Sequence, residues 1–173
     1  MNMLRNFNLL QLMFLGIFLM VSAGETQAQR DLFPGGPGLS IQKTPKPSYS
    51  NLYTGGTAQL KKTDAASCVL DTCLFYVNFR IDMGTADKAD ISPWVSLEVE
   101  NGDKSRKQMR MRYWSISQWD VLPIRIKAGL NIVRLTIDPD NKITETSETN
   151  NSQTWKFFLE PGPIVIPGKK TSR

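Results

Sequence analysis

The chain has 173 residues, 40% hydrophobic and 21% charged, with a formal net charge of +5 and no histidine. This length suits one domain with extensions, and the modest charge favours solubility without predicting a nucleic-acid partner. Histidine is needed for Ser-His-Asp and Cys-His catalysis and is the commonest metal ligand, and the chain has none. The chain also has no Gly-rich phosphate loop. We therefore expect no enzyme activity, no cofactor and no metal.

The N-terminal segment, 1–28, has the pattern of a signal peptide. After an early arginine, Leu9–Val21 is an apolar stretch of signal-peptide length, too short for a good membrane span. Thr26 and Ala28 supply the small residues that a cleavage site needs, with an earlier site near Gly24 and an uncleaved anchor as alternatives. We expect export to the periplasm, the bacterial cell surface or the medium, without stable membrane insertion after cleavage.

The chain then divides by composition into three parts. Residues 29–57 are rich in proline and glycine and predict a tether or a loose first edge strand over Leu39–Gln42. Residues 58–161 carry most of the strand patterns. Residues 162–173 form a basic tail, in which Ile164–Ile166 either adds to a sheet edge or stays disordered.

The only cysteines, Cys68 and Cys73, suit a disulfide if the protein is exported. One extended strand would hold their Cα atoms about 16 Å apart, whereas a disulfide needs roughly 4.4–6.8 Å. A bridge therefore requires a bend between them, which Asp71 favours. The alternative is two thiols, which no histidine would activate and which lack the further ligands of a structural zinc site.

Apolar residues alternate with polar ones in several short segments, which predicts half-buried strands. These segments are Cys73–Met83, Trp94–Val99, Lys107–Trp114, Leu122–Ile126, Asn131–Asp138 and Trp155–Leu159. Cys73–Met83 has six apolar residues on one face and is predicted to be the central strand. Together the segments predict an all-β fold, an immunoglobulin-like antiparallel β-sandwich of about seven strands and about 100 residues.

Two of these segments, Trp94–Val99 and Lys107–Trp114, predict a hairpin. Its loop should have an odd number of residues, since inward-facing residues must pair with each other. A loop of Gly102–Arg106 would set Glu98 opposite Arg110 and Trp94 opposite Trp114. A three-residue loop would instead set Trp94 opposite Arg112.

A polar loop joins the last two predicted strands, and Thr136–Asn151 reads TIDPDNKITETSETNN. This motif resembles the C-terminal signature of CARDB domains, which are bacterial cell-adhesion-related modules with an immunoglobulin-like β-sandwich fold. The resemblance extends as a strand pattern from Leu39 through Leu159, although Asp82 stands where such sequences often have asparagine. It implies an adhesion-type role only loosely.

The same loop holds the predicted structural residues, Asp138, Asp140, Asn141, Glu145, Glu148, Asn150 and Asn151. The resemblance implies a structural role for Glu148, Asn150 and Asn151, and such side chains can satisfy backbone groups where a ladder is broken. The carboxylates and Asn141 could instead bind calcium. We favour turn chemistry, because the spacing lacks the glycine of an EF-hand and contains Pro139.

A basic and aromatic surface is the candidate binding site: Trp94, Arg110, Arg112 and Trp114. If Met109 and Met111 point inward, the two arginines point outward beside the tryptophans. Such a surface could stack on a sugar or grip an acidic protein or polysaccharide. The alternative is ordinary cross-strand packing.

The sequence therefore predicts a non-enzymatic, exported interaction or adhesion-type module that binds a protein partner in the envelope or outside the cell. A carbohydrate-binding module for a surface polysaccharide is the first alternative, and an accessory subunit of an envelope assembly is the second. The sequence leaves the oligomeric state open.

Overall fold

The computed structural model of the chain describes residues 30–46, 52–53, 55–84, 90–112 and 115–162. The predicted signal peptide and the tail beyond Gly162 lie outside these residues. The described part contains one short 3-10 helix, Lys62–Asp64, and ten strands. The strands are β1 Leu32–Gln42, β2 Leu52–Tyr53, β3 Thr57–Leu60, β4 Ser67–Val69, β5 Thr72–Met83, β6 Trp94–Val99, β7 Lys104–Gln108, β8 Ser117–Lys127, β9 Gly129–Ile137 and β10 Ser152–Leu159.

These strands form two sheets that enclose one hydrophobic core, so the predicted β-sandwich is confirmed. In the first sheet β5 is central: β8 runs along one side of it, and β1 and β4 share the other. The second sheet has the order β3-β10-β9-β6-β7. Its β3–β10 pair is parallel, so the sandwich is not wholly antiparallel. The strand number exceeds the predicted seven because short pieces such as β2 and β4 carry no long alternating pattern.

The core is built from the apolar faces that the alternation predicts. All six inward residues of β5 are buried, as are the predicted inward residues of β9 and β10. These are Cys73, Phe75, Val77, Phe79, Ile81 and Met83, facing Val133, Leu135, Ile137, Trp155, Phe157 and Leu159. Side chains from both sheets meet in this layer, which removes them from water and stabilises the sandwich.

The Pro/Gly-rich segment contributes more to the fold than a loose edge strand. β1 begins at Leu32, pairs with β5, and has β2 on its other side, so it lies inside the sheet. Its register shifts between Gly35 and Ser40. A Cβ added to Gly35 would lie 2.0 Å from Cγ of Asp82, so glycine permits the close approach of β1 to β5 here.

The predicted hairpin register and the predicted strand Lys107–Trp114 are wrong. The chain turns at Val99–Asp103, where the N–H of Val99 donates to the carbonyl of Asp103 at 2.8 Å. β7 therefore begins at Lys104, and Glu98 lies opposite Lys104 while Trp94 lies opposite Gln108. The charged edge strand β7 shows no apolar alternation, which is why the pattern did not reveal it. Met109 and Met111 are buried after the strand has ended, and Tyr113 and Trp114 are outside the described residues.

The described residues contain no helix with the length and apolar composition that a bilayer crossing requires.

Candidate functional site

The β9–β10 loop is held by its own polar side chains. Asp138 begins it with a φ of +44°, in the left-handed region that aspartate and asparagine tolerate better than most residues. The buried Asp138 carboxylate accepts a hydrogen bond from the N–H of Ile143 at 2.7 Å, and its own N–H donates to the carbonyl of Trp94 at 2.8 Å. Asn141, also at positive φ, donates its N–H to the carbonyl of Asp138 at 2.9 Å. These bonds satisfy backbone groups that the sheet has left unpaired.

The far half of the loop contains a network around Glu145. One oxygen of Glu145 accepts from the backbone N–H of Leu32, and the other accepts from the side-chain amide of Asn151 at 3.3 Å. The same amide donates to Glu148 at 3.1 Å, and Glu148 accepts from the N–H of Glu145 at 3.3 Å. Asn150 donates to the Asp31 carboxylate at 2.9 Å. The loop of the second sheet is thereby bonded to the chain at the start of β1 in the first sheet.

Glu145 has an unusual ionisation for a carboxyl group. The pKa of Glu145 is raised from 4.5 to about 7, chiefly by partial burial and to a smaller extent by the nearby carboxylates of Glu148, Asp138 and Asp31. The hydrogen bond from Leu32 acts in the opposite direction, since it stabilises the charged form. The loop can therefore take up a proton near neutral pH.

The geometry of the loop does not resemble a cation site. No group of three or more carboxylate or cysteine side chains in the described ranges is arranged to hold a metal ion. Asp140 points away toward β7, where it accepts a hydrogen bond from Arg106. That bond holds the pKa of Asp140 below its ordinary value. The seven predicted loop residues are thus divided between turn, network and ion-pair contacts.

The predicted Trp/Arg surface is only partly assembled. Arg110 and Arg112 are exposed, as expected from the burial of Met109 and Met111, but Arg110 bonds to Asp90 at 2.7 Å. Trp94 is half-buried, and its ring is stacked by the guanidinium of Arg106 at 4.8 Å. The observed register does not set Trp94 opposite the predicted Trp114, which is outside the described residues.

Sequence reasoning missed Arg106 because it placed this residue in the hairpin loop. In β7 Arg106 lies opposite Ser96, two residue pairs along the ladder from Trp94 and Gln108 and so on the same face of the sheet. Its guanidinium reaches both the Trp94 ring and the Asp140 carboxylate. Trp94, Arg106 and Asp140 therefore form one cross-strand contact, in which the guanidinium of Arg106 covers one face of the Trp94 ring.

The disulfide between Cys68 and Cys73 is present, and the predicted bend between them is confirmed. The two cysteines lie directly opposite each other in the β4–β5 hairpin, with their Cα atoms 4.0 Å apart. Leu70 and Asp71 form the two-residue turn beyond them. Cys73 is buried in the core and Cys68 is exposed, so the bridge ties the hairpin to the core.

One end of the sandwich exposes several apolar side chains, and we call it the apolar end. Of the four large hydrophobic residues that are exposed in the described part, three lie here: Val69 (74%), Leu70 (90%) and Leu130 (60%). Half-buried Phe158 pairs with Leu130 across β9 and β10. The N–H of Ala128, two residues before Leu130, donates to the carbonyl of Asp71 at 2.7 Å and joins the two segments. Exposed apolar residues that occur singly are ordinary, and several at one end of the sandwich make that end a candidate contact surface.

Little in the local sequence predicts the apolar end. Its members are separated by about 60 and about 30 positions in the chain and come to the same end only in the folded sandwich. The one local signal is the pair Val69-Leu70 between two cysteines, where a hairpin turn normally carries glycine, asparagine or aspartate.

Comparison with known proteins yields structural matches only. No protein-family model matches the chain, and no curated protein sequence does. The chain is similar to a CARDB domain from Pyrococcus furiosus, crystallised in complex with di-metal ions, at 14% identity and a TM-score of 0.43 over 76% of this chain and 89% of that one. The solution structure of the same domain matches at 15% identity and a TM-score of 0.39 over 77% and 97% of the two chains.

A third match lies in a much longer protein. It covers 73% of this chain but 17% of a candidate β-galactosidase from Bacteroides fragilis, at 11% identity and a TM-score of 0.44. All three likenesses concern the fold. The chain itself is a β-sandwich of two facing sheets with a polar β9–β10 loop, and its resemblance to CARDB domains stays a prediction from Thr136–Asn151.

Proposed function

We propose that the chain is an exported, non-enzymatic interaction module that binds a protein partner in the cell envelope or outside the cell. The observation that carries this proposal is the apolar end, where Val69, Leu70, Leu130 and Phe158 present apolar surface to solvent. Exposed apolar side chains cost free energy in an isolated domain, and burying them against a partner recovers it.

Export is supported by two independent features. The pattern of 1–28 is that of a signal peptide. The disulfide between Cys68 and Cys73 suits an oxidising compartment, since thiols in the cytosol are usually kept reduced.

The absence of enzyme activity is supported by the chemistry of the loop. Glu145 and Glu148 are the paired carboxylates that the sequence offered for acid–base work, and their oxygens accept bonds from Leu32, Asn151 and the loop backbone. Carboxylates held in this way position a loop. Without histidine, the chain also lacks the side chain that most often transfers protons at neutral pH.

A carbohydrate-binding function has weaker support. Trp94 is the described aromatic residue of the candidate surface, and Arg106 covers its ring while Asp140 holds Arg106 in place. A sugar would have to displace this cation before it could stack on the same face of the ring. A glycan array with the full chain tests this alternative, and binding that Trp94→Ala abolishes at an unchanged melting temperature would establish it in place of the protein partner.

The proposal is tested by affinity capture of the tagged full chain from the native cell envelope. We expect a specific protein to be enriched, to be lost with Leu130→Thr, and to be retained with Ile116→Thr. Ile116 is a matched control, since its side chain is exposed to a similar extent (62%) but precedes β8 and lies outside the apolar end. Failure to enrich any protein above background would overturn the proposal.

A further inference from the structure

The turn between β6 and β7 contains two residues that can react with each other. Asn101 is followed by Gly102, and no other asparagine of the chain precedes a glycine. The peptide nitrogen of Gly102 can attack the side-chain carbonyl carbon of Asn101, because the attack closes a five-membered ring and glycine has no Cβ to shield the nitrogen. Asparagine is among the thermolabile residues of proteins.

The fold leaves this pair accessible to water. Glu100, Asn101 and Gly102 are all exposed, and Asn101 has a φ of +56°, which asparagine tolerates. The N–H of Gly102 donates to the carbonyl of Val99 at 2.9 Å, and this hydrogen bond must open before the nitrogen can react. An exposed hydrogen bond at the end of a hairpin opens at a small cost in free energy, so it should slow the reaction by about tenfold at most.

Other asparagines of the chain provide a comparison. Asn141 is also exposed and has a φ of +47°, but Lys142 follows it and shields its peptide nitrogen with a side chain. Asn151 precedes the small residue Ser152, but Asn151 is buried and its amide donates to two carboxylates. Among the asparagines that the structure describes, Asn101 thus combines exposure with a following glycine.

We propose that Asn101 is a modification site at which the folded protein converts its own asparagine to isoaspartate and aspartate, and that the isoaspartate form loosens the β6–β7 turn. This inference goes beyond the proposed function and does not depend on it.

The reaction needs water and no other reactant. The Gly102 nitrogen loses its proton and bonds to Cγ of Asn101, and the side-chain nitrogen leaves as ammonia, which gives a succinimide. Water then opens the ring at either carbonyl. Opening at the main-chain carbonyl gives isoaspartate, and opening at the former side-chain carbonyl gives aspartate. One water enters for each ammonia that leaves, and nothing is oxidised or reduced.

Both products place a new carboxylate at a cleft that already contains two. This cleft, of about 400 Å³, is lined by Glu98, Glu100, Asn101, Ile132 and Arg134. The converted chain carries one positive charge fewer than the fresh chain, so ion exchange can separate the two.

Isoaspartate also lengthens the backbone by one methylene inside the turn. Two hydrogen bonds close this turn, from the N–H of Gly102 to the carbonyl of Val99 and from the N–H of Val99 to the carbonyl of Asp103, at 2.9 and 2.8 Å. A longer path between these residues cannot keep both bonds at their present geometry. Since β7 is the edge strand of its sheet and pairs with β6, we expect its ladder to fray from this end.

The conversion is tested by incubating the full chain in mildly alkaline buffer. Peptide mass spectrometry with fragmentation that distinguishes isoaspartate from aspartate follows each asparagine over time. We expect Asn101 to lose its amide in the folded chain, at a rate within about tenfold of that in a synthetic peptide of residues 98–106. Asn141 should keep its amide over the same period. Asn101→Gly, which tolerates positive φ, should keep the wild-type melting temperature and give no product at this turn.

The effect on the turn is tested by amide hydrogen exchange of the separated isoaspartate form. The amides of β7 should exchange faster than in the fresh chain. The amides of β9 are the internal control and should exchange at the same rate in both forms, because β9 lies between β10 and β6.

Three results would overturn the inference. An Asn101 that keeps its amide in the folded chain while the synthetic peptide converts would show that the bond from Gly102 to Val99 protects the site. Equal conversion of Asn101 and Asn141 would show that the following glycine does not determine reactivity. Unchanged exchange of the β7 amides in the isoaspartate form would refute the loosening of the turn.

Discussion

The carboxylate of Glu145 accepts a hydrogen bond from the backbone N–H of Leu32, a residue 113 positions earlier in the chain. Glu145 belongs to the loop between β9 and β10 in the second sheet, whereas Leu32 begins β1 in the first sheet. Thr146 reinforces the link, since its N–H and hydroxyl both donate to the carbonyl of Arg30, at 2.7 and 3.0 Å. The loop thus fastens the first strand of one sheet to the last hairpin of the other.

We expect Glu145→Ala to destabilise the protein by roughly 1–3 kcal/mol, because it leaves the partly buried N–H of Leu32 without its acceptor. Urea denaturation followed by tryptophan fluorescence measures the change in the free energy of unfolding. Glu148→Ala is the matched control, since Glu148 is exposed and should cost less. Equal stabilities of wild type and Glu145→Ala would show that the hydrogen bond between Leu32 and Glu145 does not stabilise the fold.

Stability should also depend on the ionisation of Glu145. Its pKa is raised from 4.5 to about 7 in the folded chain, so between these values the folded state binds a proton that the unfolded state has released. The contribution is therefore fully present below about pH 4.5 and is lost as the pH rises through about 7. We expect the melting temperature to fall across this window in the wild type and to vary less in Glu145→Gln. The same slope in both proteins would assign the pH dependence to other groups.

Calcium should not stabilise the loop. The carboxylates of Asp138, Glu145 and Glu148 already accept bonds from Ile143, Leu32 and Asn151, so a cation would have to break these bonds before it could bind. We expect millimolar calcium to leave the melting temperature unchanged in differential scanning fluorimetry and to give no heat of binding in calorimetry. A saturable rise in melting temperature that Asp138→Asn abolishes would reverse this assignment.

A strand can be predicted from the sequence only where burial of one face imposes a local pattern on its residues. β5, β6 and β9 were predictable within a residue or two because one face of each is buried, which imposes a period of two on apolar residues. β7 was not predictable, since an edge strand of Lys, Ser, Arg and Gln has no buried face and therefore no apolar alternation. Its register depends on the turn at Val99–Asp103, which alternation does not encode.

In the candidate site, too, local motifs were predictable from the sequence and long-range contacts were not. The motif Thr136–Asn151 identified the polar loop and its side chains, because turn residues are recognisable locally. The bond from Leu32 to Glu145 and the apolar end were not predictable, since each joins segments that meet only after the sheets have paired. The Trp94–Arg106 contact was missed for a simpler reason, the error in hairpin register.

The disulfide should contribute measurably to stability as well as to the shape of the hairpin. In the chain-entropy model, closing so short a loop stabilises the fold by roughly 2 kcal/mol, which corresponds to a fall of several degrees in melting temperature when the bond is lost. We expect reduction with a phosphine to produce this shift in the wild type. Cys68→Ser/Cys73→Ala should melt at the lower temperature with or without reductant. A wild-type melting temperature that does not respond to complete reduction, verified by mass spectrometry, would contradict the prediction.

Gly35 should be among the least replaceable residues of the Pro/Gly-rich segment. A Cβ at this position would lie 2.0 Å from Cγ and 2.2 Å from Oδ2 of Asp82, whose carboxylate is bonded to Arg80. Gly35→Ala must therefore displace either β1 from β5 or the Asp82 side chain from its ion pair, and we expect a loss of roughly 1–3 kcal/mol, as for an overpacked core. Gly55→Ala is the control, because nothing lies within 4 Å of its added Cβ, and it should leave stability within about 0.5 kcal/mol. If both variants unfold at the wild-type urea concentration, β1 does not approach β5 as closely as described. If Gly35→Ala alone is destabilised, and Gly35→Ala/Asp82→Ala regains part of the loss, the close approach of the two strands is established.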